Sequence, residues 1–70
     1  MSLEEKLTLI EKVLHEPHFS LQEDSELRMI NGWESLNIIN LEMELIANGI
    51  SVDENKLKEC KTVGEICKLF

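Results

Sequence analysis

Basic residues are scarce in this chain: seven lysines and arginines face fourteen aspartates and glutamates, for a formal charge of -7 over 70 residues. Nucleic acid and anionic membrane surfaces repel such a protein, so neither is expected as a partner, and basic protein surfaces are the natural complement. The same crowded charge repels itself, and stability is expected to rise with salt or divalent cations as screening shortens its reach. Proline occurs once, which leaves long stretches free to be helical. Cysteine occurs twice, at Cys60 and Cys67. Two thiols at a spacing unlike CxxC do not make a disulfide scaffold and read as free thiols in a reducing compartment. No apolar run approaches bilayer-spanning length, and Met1-Ser2-Leu3-Glu4-Glu5 lacks the basic region and apolar run of a secretory signal, so a cytoplasmic location is expected.

Chemical motifs are missing too. No Ser-His-Asp arrangement, phosphate loop or dinucleotide fingerprint appears, which argues against an enzyme with catalytic residues of its own. His15, His18, Cys60 and Cys67 are ligand types that zinc prefers, but their spacing fits neither ribbons nor fingers. The cysteines read as core residues, and no metal is expected.

What is present suits one small domain, residues 1–70. Apolar residues make up 43% of the chain, enough for a core near the lower size limit for independent folding. Ser2-Leu3-Glu4-Glu5 is an S-x-x-E capping box, and Leu3, Leu7, Ile10 and Leu14 follow at helical spacing, predicting a first helix over about 3–15 that stops before Pro17. Residues 17–33 sustain no period. Their Phe19, Leu21, Leu27, Met29 and Ile30 are too apolar for a solvated linker, which predicts an ordered loop with several of them packed beneath it, and room for a short helical turn. A second helix runs from Glu34 to Asn48-Gly49, where Gly49 takes the left-handed conformation that ends it. Ser51-Val52-Asp53-Glu54 offers a start for a third helix of about two turns, with Leu57 and Cys60 inward. Thr62-Val63-Gly64-Glu65 opens a fourth, with Val63, Ile66, Cys67 and Phe70 as its stripe. No segment alternates with period two, so the chain is expected to be all-α: a four-helix bundle with a short third helix and a long first connection.

The second helix has two apolar sides. Ile38, Leu41 and Leu45 share one face at about 100° per residue and form the expected core side. Leu36, Ile39, Met43 and Ile46 form a second stripe roughly opposite. Two readings stand: the helix is central and buried on both sides, or the second stripe is exposed and marks a protein-binding surface. Asn37, Asn40, Glu44 and Asn48 lie between the stripes on one flank and favour the exposed reading.

Ser35 begins this helix. By position alone it reads as an N-cap, since serine is among the commonest residues there. A helix N-terminus is also a favourable place for a phosphate, because unpaired N–H groups and the positive end of the helix dipole meet there. The neighbouring sequence adds to this. Ile30-Asn31-Gly32-Trp33-Glu34-Ser35-Leu36 resembles the Trp-Asp-Ser-Leu form of the attachment motif of acyl carrier proteins. Met43, Gly49-Ile50, Asp53-Glu54 and Lys61-Thr62-Val63-Gly64 match further family positions, so the resemblance covers residues 24–70 in register and without gaps.

That resemblance implies a free-standing carrier that is a substrate of enzymes, whose Ser35 receives 4′-phosphopantetheine from coenzyme A and whose cargo, acyl or aminoacyl, is held as a thioester. A phosphopantetheinyl transferase would supply the magnesium and the base. Leu36, Ile39 and Met43 would dock partners, with Glu34 and neighbouring acids steering the basic surfaces of a loading ligase and a downstream transferase or synthase. The apolar interior would shelter short cargo, and a monomer is expected. Glu34 stands where the family has aspartate, Asn37 and Asn40 where many relatives have acids, and Asn48 where an aromatic residue is frequent. These departures suggest a specialised carrier with its own partners. They also keep open an alternative from another class, a carrier-like interaction module that docks through the second helix and is never modified.

Overall fold

The computed structural model describes residues 1–70. Four helices follow in order: α1 (Leu3–Leu14), α2 (Ser35–Ala47), α3 (Glu54–Glu59) and α4 (Val63–Cys67), with one 3-10 turn at Leu27–Met29 in the long α1–α2 connection. The one β pairing is an isolated antiparallel bridge between Glu26 and Thr62, so the all-α expectation stands.

α1 is started by the capping box its sequence carries. The Ser2 hydroxyl accepts from the Glu5 N–H at 3.2 Å, and the Glu5 carboxylate accepts from the Ser2 N–H at 2.9 Å, which satisfies donors that a helix start leaves unpaired. The Ser2 N–H first, and then the Ser2 hydroxyl, hold the Glu5 carboxyl below its ordinary range. The helix ends with His15 in the left-handed region (φ 59°). Its inward stripe begins later than the spacing suggests: Leu9, Ile10 and Leu14 are buried, Leu7 is half-buried, and Leu3 is exposed at the first turn.

The long connection is ordered because its backbone is paired elsewhere. Gly64 N–H donates to the Glu23 carbonyl (2.8 Å), Val63 N–H to Ser25 (3.0 Å) and Leu27 N–H to Lys61 (2.9 Å), so residues 23–27 run alongside the approach to α4. A second tie comes from α1. The buried Glu11 carboxylate accepts the Leu21 N–H at 3.0 Å and lies 3.4 Å from His18 Nδ1, which leaves that buried acid with partners. Leu21, Leu27 and Ile30 pack down as expected, whereas Phe19 and Met29 stay exposed.

α2 supplies Ile38, Leu41 and Leu45 to a single cluster of 14 buried residues, and the chain leaves it through Gly49 at φ 79°. α3 starts later than the Ser51 signal suggests. Val52 is buried, so the chain first runs inward, and Asp53 is the cap, its carboxylate accepting from the Asn55 N–H at 3.0 Å. The Glu42 side chain on α2 accepts the Glu54 N–H at 3.0 Å and pins the start of α3 against α2. Leu57 is fully buried and Cys60 half-buried. At α4 the Thr62 hydroxyl accepts from the Glu65 N–H, but the Glu65 carboxylate reaches back to the Lys61 N–H, one residue beyond a reciprocal box. Val63, Ile66 and Cys67 are buried, and the stripe continues past the helix end to the half-buried Phe70.

Candidate functional site

The entry to α2 is built from a tight turn that needs a glycine. Trp33 N–H donates to the Ile30 carbonyl and Glu34 N–H to the Gly32 carbonyl, each at 3.0 Å. A Cβ on Gly32 would stand 2.5 Å from the Leu14 carbonyl oxygen, closer than any real contact, so the turn presses directly on the end of α1 and only glycine fits. The turn is latched from the other side by Asn37, whose Nδ2 donates to the Gly32 carbonyl at 2.8 Å and whose Oδ1 accepts from Asn40 Nδ2 at 3.4 Å. Asn37 is buried. It is therefore no part of the solvated flank to which its helical position assigns it, and it fixes where α2 begins.

Glu34, extended at φ -139° and ψ 167°, occupies the N-cap position and makes no side-chain cap bond. Ser35 is the first helical residue, one place inside the cap that the sequence assigned to it. The first intrahelical bond is Ile38 N–H to the Glu34 carbonyl at 2.9 Å, so the N–H groups of Ser35, Leu36 and Asn37 have no backbone partner. No acid lies within the first turn of the helix itself. The positive end of the helix dipole and these N–H groups thus converge beside the Ser35 side chain.

Comparison among the five serines sets Ser35 apart. Ser2 caps α1, the Ser20 hydroxyl donates to the Pro17 carbonyl, and the Ser25 hydroxyl accepts from the Gln22 N–H. The hydroxyls of Ser35 and Ser51 are exposed and engaged by no other group of the protein. Ser51 precedes α3 in extended chain, so of these two Ser35 alone stands at a helix tip.

From that tip the outer side of α2 carries an apolar strip. Leu36 is 63% exposed, Ile39 39%, Met43 62% and Ile46 57%. Glu42 and Glu44 border it, and both are engaged: Glu42 with the start of α3, Glu44 with Lys12 at 3.9 Å. Glu34 is the exposed acid at the serine end. The two readings left open by the helical spacing are thereby resolved, since the second stripe lies at the surface. The buried latch Asn37 was not picked out by sequence reasoning. For Asn37 the available signal was its place in the first turn, five residues after an obligatory glycine.

No protein-family model matches this chain, and no curated protein matches it in sequence. Among solved structures it is similar to the holo acyl carrier protein of Geobacter metallireducens, determined by solution NMR, with a TM-score of 0.73 at 24% identity over 99% of this chain and 82% of the other. The two share a fold.

Proposed function

We propose that this chain is a carrier protein, and that the Ser35 hydroxyl is the point at which a transferase attaches 4′-phosphopantetheine from coenzyme A. The observation that carries this reading is a serine hydroxyl free of internal partners at the tip of a 13-residue helix, beside three unpaired N–H groups, on a fold shared with an acyl carrier protein. The residues present fit the group. A phosphodiester on Ser35 would meet the N–H groups of Ser35, Leu36 and Asn37 and the positive helix end, all favourable to an anion. When bound, the arm supplies a terminal thiol that holds an acyl or aminoacyl cargo as a thioester.

The protein's own part in attachment is presentation. Ser35 Oγ forms the new bond to phosphorus as the pyrophosphate of coenzyme A is cleaved and adenosine 3′,5′-bisphosphate leaves, and its proton passes to a base of the transferase, because no side chain of this protein hydrogen-bonds the Ser35 hydroxyl. Leu36, Ile39 and Met43 offer partner enzymes an apolar footing along the same helix, and Glu34 offers a charge to a basic surface on the transferase, the loading ligase or a downstream synthase.

A second reading, an interaction module of the same fold that is never modified, draws on Glu34 in place of the family's aspartate, since a longer side chain before the serine alters what a transferase grips. Incubation with coenzyme A, magnesium and a broad-specificity phosphopantetheinyl transferase, followed by intact mass, separates the two. The carrier reading expects a gain of one phosphopantetheinyl group that disappears in Ser35→Ala. An unchanged mass under conditions that modify a control carrier supports the module.

A further inference from the structure

A groove of 450 Å³ opens beside the attachment turn, lined by Glu26, Leu27, Arg28, Trp33, Cys60 and Lys61. Its size falls in the range of small-molecule sites, and its make-up is of that kind: an apolar floor with a few charged groups at the edge. Both walls are held in place. The Leu27 N–H bond to Lys61 and the Glu26–Thr62 bridge tie the 3-10 turn to the α3–α4 junction, so Arg28 and Lys61 are brought to one groove by backbone pairing and not by chance contact of long side chains.

The lining of this groove is less acidic than the chain as a whole. The chain has seven cations against fourteen acids, whereas the residues lining the groove include two cations and one acid, with Glu59 and Glu65 close behind Cys60. Arg28 is paired with Glu26 at 3.3 Å, with both side chains more than half exposed, so that pair is weak and open to exchange. Lys61 Nζ has no carboxylate within ion-pair distance. A hollow of equal volume lies between the start of α1 and the far end of α2, but there Glu4, Glu5 and Glu44 outnumber Lys12, and it stands at the opposite end of α2 from Ser35. An anion is favoured in the first hollow and opposed in the second.

We infer that the groove under Trp33 is a cargo site that selects arm-borne acyl groups ending in a carboxylate, with the hydrocarbon part against Leu27 and Trp33 and the carboxylate between Arg28 and Lys61. This rests on the carrier reading of Ser35. Trp33 lies two residues from Ser35, so the groove begins about 7 Å of chain away from the attachment point, well inside the reach of an extended pantetheine arm.

The test uses three forms of the full chain, made by the transferase from coenzyme A, pentanoyl-coenzyme A and glutaryl-coenzyme A and verified by intact mass. The two acyl groups have the same carbon count and differ in the terminal carboxylate. Trp33, the one tryptophan of the chain, reports occupancy by its emission, and the amide resonances of Arg28 and Lys61 report contact. The glutaryl form is expected to occupy the groove about fivefold more than the pentanoyl form, the upper range for an exposed charge pair. That difference is expected to disappear in Arg28→Gln/Lys61→Gln and at high salt. Identical spectra for the two acyl forms overturn the cargo site while leaving the carrier reading intact, and so does a difference that survives the double substitution. No mass gain on the native chain sinks the carrier reading, and this inference with it.

Discussion

The two sides of α2 are alike in composition and opposite in environment. Ile38, Leu41 and Leu45 point inward and are at most 6% exposed, whereas Leu36, Ile39, Met43 and Ile46 point outward and are 39–63% exposed. Burial of an aliphatic side chain stabilises a fold by about 1.5–3 kcal/mol, and only the inner trio draws that benefit. The outer four gain much less from folding, so their apolarity calls for another explanation. On the proposed function a partner that covers them supplies it, with Ser35 at the head of the same strip.

The sharpest way to break this contrast is to truncate one residue from each side. Leu41→Ala is expected to cost about 2–5 kcal/mol, enough to unfold much of a domain whose total stability is about 4–10 kcal/mol. Met43→Ala is expected to stay within about 0.5 kcal/mol of the native chain. Urea unfolding followed by far-UV circular dichroism measures both, and similar midpoints for the two variants would refute the division of the helix into faces. Next in size is Gly32→Ala. The added Cβ has the Leu14 carbonyl in its way, and the forced shift is expected to cost about 1–3 kcal/mol, read by the same unfolding; an unchanged midpoint would show that the turn does not press on α1.

A charge on the outer side sharpens the comparison from the functional end. Met43→Lys is expected to leave the melting temperature in place while lowering kcat/KM for Ser35 modification about tenfold, the scale of one interface hot spot. A parallel fall in melting temperature would mean that the strip belongs to the core. The smallest effect concerns the two thiols, Cys60 at the end of α3 and Cys67 on the inner side of α4. Burial raises the thiol pKa of both Cys60 and Cys67, and Glu65 and Glu59 add to it at Cys60. The native state therefore retains those protons, so the associated stability is full below the ordinary thiol range and declines as pH rises through the raised values. Iodoacetamide at pH 8 is expected to alkylate both more slowly than an unfolded thiol, and the buried Cys67 more slowly than Cys60. The reverse order, followed by peptide mass, would contradict the placing of Cys67 in the core.

Much of this was legible in the sequence because local rules and packing agree here. The Ser2–Glu5 box, the Pro17 stop, the Ile38, Leu41 and Leu45 face and the Val63, Ile66 and Cys67 stripe all follow from periodicity and caps. What escaped depends on contacts between distant segments. The start of α3 is displaced from Ser51 to Asp53 because Val52 must first be buried and because Glu42, twelve residues away, receives the Glu54 N–H. Asn37 reads as surface by its angle around the helix, yet the turn at Gly32, which packs on the distant end of α1, needs its amide. Ser35 moved one place inside its expected cap for the same reason, since the turn latched by Asn37 leaves Glu34 extended. The Arg28–Lys61 groove joins residues 33 positions apart, a juxtaposition that no helical or turn rule encodes.

The central claim is that one serine hydroxyl is set apart from the other four by its place at the tip of α2. Fragmentation of the transferase-treated chain, with each added group assigned to a residue, tests it most directly. The account predicts a single phosphopantetheinyl group on Ser35, with Ser2, Ser20, Ser25 and the likewise exposed Ser51 untouched. A group on any other serine, or none on Ser35 while a control carrier is fully converted, would contradict it.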